Sequence, residues 1–290
     1  MEPLAGYVLT APAVVYILLL VGYPFFLSLF FSFNRVFIGG DYEGFVGLSN
    51  FTSLFANEVF QRAFWNTLGF TFFSEIGKGV LGVGLAFLLL QPLRGKKVVR
   101  AFLVLPFTLP FALSLLGWQW MFDPEFSVIN YLFGHQLHWL PSPYPDWLGD
   151  PFWSYLAILI VNIWRGFPFA GVIILAGLTS VPSDFLDAAK VDGAGFFRTW
   201  HYVITPIIAP ILFIGLIYDA TFTLGDLTAV YRLTQGGPGF ATETLPMEAW
   251  QTGIVGGNLG AGSAITLFLF PFLVVAVVFF LRMLYRREAL

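Results

Sequence analysis

The sequence contains no cysteine, only three histidines and few charged residues. Without cysteine, disulfides, thiolate metal sites and cysteine nucleophiles are excluded. Charged residues make up 11% of the 290 residues, whereas about 25% is usual for a soluble globular domain. The net charge of −3 provides no basic surface, so no nucleic-acid partner is expected. The chain has no Gly-x-x-x-x-Gly-Lys-Ser/Thr run and therefore cannot hold ATP phosphates in a P-loop.

Apolar residues dominate instead. They form 58% of the chain, with 35 phenylalanines, and the mean hydropathy is +0.80. That much apolar surface requires lipid to cover it. The composition therefore predicts an integral membrane protein rather than a soluble domain.

Six apolar stretches are long enough to cross a bilayer, which takes about 20 residues. Helices are favoured because a helix satisfies its own backbone, and the alternation typical of a barrel strand is not seen. Residues Val8 to Val21 resemble a signal-peptide core, but no Lys or Arg precedes them and the apolar run continues to Phe33. We therefore predict an all-α integral membrane protein, a single transmembrane domain over 1–290, with a retained first span. The predicted spans are 8–33, 65–91, 100–122, 152–178, 204–230 and 263–284.

The basic residues predict the orientation of these spans. Nine of them fall in the loops after spans two and four and at the C-terminus, and three fall in the opposite loops. Because cytoplasmic loops are enriched in Lys and Arg, both termini are expected in the cytoplasm. The nine are Arg94, Lys96, Lys97, Arg100, Lys190, Arg198, Arg282, Arg286 and Arg287.

Ionisable residues inside spans are costly and mark internal pairs or a solute pathway. Glu75 and Lys78 stand three residues apart in span two, where they can neutralise each other. In span five, Asp219, Thr223 and Asp226 share one helical face. Carboxylates accept hydrogen bonds from sugar hydroxyls, so this face favours polyol binding. Two alternatives stay open: Asp226 is merely solvated, with Asp219 paired to Arg165, or Arg165 binds an anionic solute.

The loop after span four predicts a short cytoplasmic helix. Ser183 or Asp184 can cap its N-terminus, and Gly193 stands where a left-handed residue would end it. Its apolar members are Phe185, Ala188, Ala189 and Val191. From these residues alone, such a helix is either a surface helix at the membrane interface or a docking element for a partner.

The same loop resembles the EAA signature of binding-protein-dependent ABC-importer permeases. The matching residues are Asp187-Ala188-Ala189, Asp192-Gly193-Ala194 and Ile204-Thr205-Pro206, with Asp187 in place of the usual Glu and Thr205 where Leu is common. Leu105-Pro106-Phe107, Asn162 to Pro168 and Leu233 to Pro238 are similar to the sugar-permease branch of MalF type. The resemblance covers nearly the whole chain.

The resemblance implies a transport subunit of the prokaryotic cytoplasmic (inner) membrane rather than an enzyme. It implies a sister permease, P-loop ATPase subunits that carry ATP and Mg, and an extracytoplasmic solute-binding protein. No cofactor or metal is expected on this chain. ATPase coupling would fall to Asp187, Ala188, Ala189, Asp192, Gly193 and Ala194. Sugar binding would fall to Phe107, Phe111, Asn162, Gly166, Phe169, Asp219, Phe222, Thr223 and Asp226.

Other classes fit less well. An ion-gradient-driven secondary transporter could use Glu75, Asp219 and Asp226 as proton relays, but it needs no cytoplasmic docking helix. A membrane-embedded enzyme would need a catalytic cluster, and the sequence suggests none. His135 and His138, without a nearby carboxylate, make a poor metal site.

Overall fold

The computed structural model of the chain describes residues 2–40, 42–92, 95–140, 142–275, 277–278 and 282. Within this part the fold is helical, apart from a small antiparallel hairpin of β1 (Asn34–Arg35) and β2 (Gly44–Phe45). Short π-helical segments cover Leu18–Gly22, Asn130–Gln136, Trp200–Ile204 and Gln251–Val255. The α-helices are α1 (Glu2–Ile17), α2 (Tyr23–Ser32), α3 (Ser49–Phe55), α4 (Glu58–Leu90), α5 (Lys96–Thr108), α6 (Phe111–Met121), α7 (Pro151–Thr179), α8 (Ser183–Val191), α9 (Phe196–Thr199), α10 (Thr205–Leu224), α11 (Thr228–Leu233), α12 (Leu245–Trp250) and α13 (Leu259–Phe268).

Four helical stretches are long and apolar enough to cross a membrane. They are Gly6–Ser32, Glu58–Leu90, Pro151–Thr179 and Phe196–Leu233, and they correspond to predicted spans one, two, four and five. A shorter apolar helix covers Leu259–Val275. The rest of predicted span six, together with Arg286 and Arg287, lies mostly outside the described residues.

The predicted third span, 100–122, is not a single helix. It is divided into α5 and α6 at Leu109, whose backbone is extended with ψ of 143°. Pro110 is the cause, because a proline disfavours helical geometry in the residue before it. With 13 and 11 residues, each piece is shorter than the roughly 20 residues that a spanning helix needs. The count of six crossings and the cytoplasmic termini therefore stay predictions.

The chain divides into two compact units. The first joins Met1–Ala63 with Leu245–Pro271, and in it α13 packs against α2 and α3. The Asn50 amide donates to the carbonyl oxygens of Ser32 and Asn34, both at 2.9 Å. Gly260 lies so close to the Asn34 carbonyl that no side chain fits there. These polar contacts fix the end of α2 and the hairpin beside α3 and α13.

The second unit, Phe64–Thr244 with Phe272–Leu290, contains α5 to α11 and most of α4. Helices α4 and α7 run parallel, as shown by the order of their contacts: Gly69 with Tyr155, Gly77 with Ile163 and Gly82 with Ala170. Helix α10 runs antiparallel to α7, since Ile208 lies on Gly177 and Ile173 lies on Gly215. Small residues at these crossings let the helix backbones approach closely, as in other membrane proteins.

Candidate functional site

Lys78 of α4 links that helix to α10 through its ammonium group. Its Nζ lies 2.8 Å from Asp219 Oδ2 and 3.2 Å from Glu75 Oε1, and it donates to Thr223 Oγ1 at 2.7 Å. The Lys78 side chain is only 3% exposed. The contacts with Glu75 and Thr223 are hydrogen bonds, and the contact with Asp219 is an ion pair. The buried cation is thereby held between α4 and α10.

Gly166 of α7 makes room for that lysine. A Cβ built at Gly166 would lie 2.6 Å from Lys78 Cε and 2.7 Å from its Cδ, which is far inside van der Waals contact. The aliphatic stem of Lys78 therefore passes over the bare backbone of α7 on its way to α10. Any larger residue at 166 would displace the stem.

Asp226 forms a second buried polar cluster with Asn162. The Asn162 amide donates to Asp226 Oδ2 at 3.2 Å, and the Thr228 backbone N–H donates to Oδ1 at 2.9 Å. Asn162 and Asp226 are 4% and 9% exposed. The Asn162 Oδ1 atom has no hydrogen-bond partner among the described residues. The cluster thus retains an acceptor that a ligand hydroxyl can use.

A cavity of about 160 Å³ lies among these groups. One wall is aromatic: Phe169 stacks with Phe107 at a ring-centroid distance of 5.7 Å and meets Tyr218 at 5.3 Å, and Tyr218 meets Phe222 at 4.8 Å. The cavity therefore combines aromatic faces with two carboxylates, an amide and two cations. Its lining residues are Lys78, Phe107, Asn162, Arg165, Gly166, Phe169, Tyr218, Asp219, Phe222, Thr223 and Asp226.

Helix α8 forms a separate feature in the loop after α7. It ends in a Schellman motif, in which Ala194 N–H donates to the Ala189 carbonyl and Gly193 N–H donates to the Lys190 carbonyl. Gly193 has φ of +68°, as predicted for the left-handed residue that ends this helix. The predicted side-chain cap is wrong: Ser183 is already the first helical residue, and Pro182 precedes it without a side-chain hydrogen bond.

The outer surface of α8 is polar on one side and apolar on another. Lys190 and Asp187 form an ion pair of 2.8 Å with side chains 75% and 66% exposed. Phe185 and Val191 are exposed, and Ala189 is buried. Helix α8 contacts the π-helical segment Trp200–Ile204 that leads into α10.

Comparison with known proteins identifies the family. Residues 78–288 match the model of the binding-protein-dependent transport system inner membrane component. The chain belongs to this family. It is an ABC transporter permease and a multi-pass membrane protein.

Relatives of this inner membrane component are sugar permeases. It is 30% identical over 288 residues to the sulfoquinovosyl glycerol transport system permease protein SmoG of Agrobacterium fabrum, covering 99% of this chain and 92% of that protein. It is also 30% identical to the trehalose/maltose transport system permease protein MalF of Thermococcus litoralis, covering 93% and 90%.

A solved structure shares the fold of the permease. It is that of a bacterial ABC transporter involved in the import of the acidic polysaccharide alginate, with a TM-score of 0.80 at 21% identity, covering 98% of this chain and 96% of that chain. At this identity the likeness extends to the fold alone.

The permease brings eight of the nine predicted sugar-binding residues to one cavity. The ninth, Phe111, lies beside it, with its ring 4.0 Å from the Arg165 guanidinium carbon. Sequence reasoning did not assign Lys78, Arg165 or Tyr218 to this set. Asp219 pairs with Lys78, and not with Arg165 as one alternative expected. The signal for Lys78 was its charge within a span, which requires partners that its neighbour Glu75 alone does not fully supply.

Proposed function

We propose that the chain forms part of the translocation path for a sugar, an oligosaccharide or a glycoside, moved by alternating access across a prokaryotic cytoplasmic membrane. The cavity carries this proposal, because it sets aromatic rings opposite hydrogen-bonding groups. Carboxylate and amide oxygens accept hydrogen bonds from sugar hydroxyls, while Phe169, Tyr218 and Phe222 offer apolar faces for the ring. The relatives SmoG and MalF are named for transport of sulfoquinovosyl glycerol and of trehalose and maltose.

The transporter would need further subunits. We propose a sister permease, a pair of P-loop ATPase subunits that bind ATP and Mg, and an extracytoplasmic solute-binding protein, while this chain binds no cofactor. Helix α8 suits the ATPase contact, since its ends are fixed by backbone hydrogen bonds and its surface offers exposed apolar and charged side chains. That contact would be formed by six residues: Asp187, Ala188, Ala189, Asp192, Gly193 and Ala194.

A sugar phosphate or another anionic polyol is the second candidate. Arg165 supports it, because this residue lines the cavity and a guanidinium matches phosphate and carboxylate geometry. Lys78 does not support it, since two carboxylates already neutralise that lysine. The proton relay of a secondary transporter has less support for the same reason, because Asp219 and Glu75 are engaged with Lys78.

The first test is composition and energy source. The tagged chain is extracted gently from its native membrane and the co-purifying subunits are identified; a P-loop ATPase and a second permease are expected. Uptake of radiolabelled glycosides into vesicles should then require ATP. Recovery of the chain alone, with uptake driven by an ion gradient, would contradict the proposal and favour a secondary transporter.

The cavity is tested by Tyr218→Ala, with Phe126→Ala as its control. Tyr218 lies in the aromatic wall, whereas Phe126 is 79% exposed in the segment after α6. Loss of one aromatic stacking face should lower glycoside uptake by about tenfold, while the control retains normal uptake. Equal uptake by both variants would remove the cavity from the sugar path.

Coupling is tested by Asp187→Lys and Gly193→Pro. The first reverses an exposed charge of α8, and the second removes the N–H that closes the Schellman motif. Both should abolish ATP-driven uptake while the chain still inserts and still assembles with its sister permease. Normal uptake in either variant would contradict the assignment of α8 to the ATPase contact.

A further inference from the structure

A second cavity adjoins the first. It measures about 400 Å³ and is lined mainly by apolar residues of α4, α7 and the first half of α10, including Val83, Ile173 and Leu212. We call it the apolar cavity and the one described above the polar cavity. In α4 and α7, the apolar cavity lies nearer the C-terminal end of the helix than the polar cavity does. In α10, it lies nearer the N-terminal end. It therefore lies on the α8 side of the polar cavity.

The two cavities share three lining residues, Lys78, Phe169 and Asp219. These residues form the boundary between them. Lys78 and Asp219 bridge α4 and α10 with an ion pair of 2.8 Å, and Phe169 of α7 stacks against Phe107. A solute moving directly from the polar cavity into the apolar cavity would pass these three residues.

We infer that the ion pair of Lys78 with Asp219 is a latch that closes the passage between the polar cavity and the apolar cavity. Solute passes from one cavity to the other only when this ion pair opens. The inference rests on the proposed function, since it takes the polar cavity as the place where solute binds. It assigns to Lys78 a gating role in addition to neutralising Glu75.

Sugar hydroxyls suit the opening step. Separating two buried charges is costly unless each finds a new partner. A hydroxyl accepts from an ammonium and donates to a carboxylate, so a polyol in the polar cavity can replace each partner of the pair. A ligand shifts an equilibrium toward the state that it binds better, and a polyol would therefore favour the open latch. An apolar solute of the same size offers no such replacement.

The test uses cysteine reporters, because the chain has no cysteine of its own. Leu212→Cys reports on the apolar cavity and Phe222→Cys on the polar cavity. The complete transporter is placed in sealed right-side-out and inside-out vesicles and exposed to a small, charged, membrane-impermeant methanethiosulfonate. Labelling of this chain is followed by mass spectrometry. When the reagent reaches one reporter from one side of the membrane, the other reporter lies behind the latch as seen from that side.

In the parent chain, we expect the reporter behind the latch to react about tenfold more slowly than the other reporter. The double variant Lys78→Met/Asp219→Asn should remove that difference, because it lacks the two charges that hold the boundary closed. Gly166→Ala should act in the same direction without changing any charge, because its methyl group displaces the Lys78 stem. Gly84→Ala is the matched control, since its Cβ meets nothing within 4 Å, and it should leave both rates unchanged. If the double variant does not reach the membrane, Gly166→Ala decides.

Three results would overturn the latch: equal labelling of both reporters in the parent chain, no acceleration in either variant, or no labelling of either reporter from either side. These results are independent of the uptake experiments. Equal labelling of both reporters in the parent chain, together with normal glycoside transport, would contradict the latch alone. The expected labelling without any glycoside transport would contradict the proposed function alone.

Discussion

Two lysine–aspartate pairs in this permease have the same length and opposite surroundings. Lys190 and Asp187 lie 2.8 Å apart on α8 with most of each side chain in solvent. Lys78 and Asp219 also lie 2.8 Å apart, but the lysine is 3% and the aspartate 17% exposed. Solvent screens the first pair and leaves it little energetic weight. The second pair is largely buried, so removing one of its partners leaves a charge that water solvates poorly. Distance alone does not rank the two pairs, whereas burial does.

The largest expected effect comes from breaking the buried pair on one side. Lys78→Met keeps a stem of similar volume beside Gly166 but leaves Glu75 and Asp219 without their cation. We expect a loss of about 3–5 kcal/mol in stability, the usual cost of an unpaired buried charge. The measurement is the free energy of unfolding of the detergent-solubilised chain.

A triple variant separates breaking the pair from replacing it. Lys78→Met/Glu75→Gln/Asp219→Asn removes all three charges, and it should recover most of the lost stability because neutral replacements of buried ion pairs are well tolerated. If the triple variant is as unstable as Lys78→Met, the loss arises from packing and not from charge.

Glu248 offers a third case, a buried carboxylate that accepts a hydrogen bond from the neutral Thr252 hydroxyl at 3.2 Å. Burial raises the pKa of Glu248, and the Thr252 hydroxyl opposes that rise. Because the folded state then holds the proton more tightly than the unfolded state, stability falls as pH rises from the unfolded pKa through the folded one. Glu248→Gln should remove this part of the pH dependence and be more stable than the parent at pH 7. Thermal unfolding from pH 4 to 8 measures it, and parallel curves for the two proteins would contradict it.

The smallest effect is expected at the exposed pair. Lys190→Ala should change stability by about 0.2–1 kcal/mol at most, and added salt should erase the difference. Unfolding of parent and variant at low and high ionic strength provides the check. A loss of stability as large as that of Lys78→Met would show that the exposure of an ion pair does not predict its contribution to stability in this molecule.

Local rules predicted much of the fold. The Schellman end of α8 follows from Gly193, because only the local backbone is involved. The long apolar helices follow from composition over about 20 residues. The break at Leu109 also had a local cause in Pro110, but the apolar pattern continued across it and concealed it. The side-chain cap predicted at Ser183 or Asp184 is absent, because the helix already begins at Ser183 and the residue before it is Pro182.

The site was less accessible to such reasoning. The shared face of Asp219, Thr223 and Asp226 was readable from helical spacing within α10 and its continuation. The contact of Lys78 with Asp219 joins residues 141 positions apart, and no periodicity encodes it. The role of Gly166 is equally hidden, since the space it leaves is filled by a side chain of another helix. In the second unit, contacts between helices decide which charges meet.

The spacing of the glycine contacts along α7 has a mechanical consequence. Gly177 with Ile208 and Ile173 with Gly215 interlock the first half of α10 with α7, and closely fitted surfaces of this kind resist sliding. Beyond Gly215, exchangeable polar contacts connect α10 to α4 through Lys78 and Asp219, and the turn after α10 to α7 through Asn162 and Asp226. Movement of α10 relative to α4 and α7 should therefore be smallest at the end toward α8 and largest beyond Gly215, where Asp219 lies.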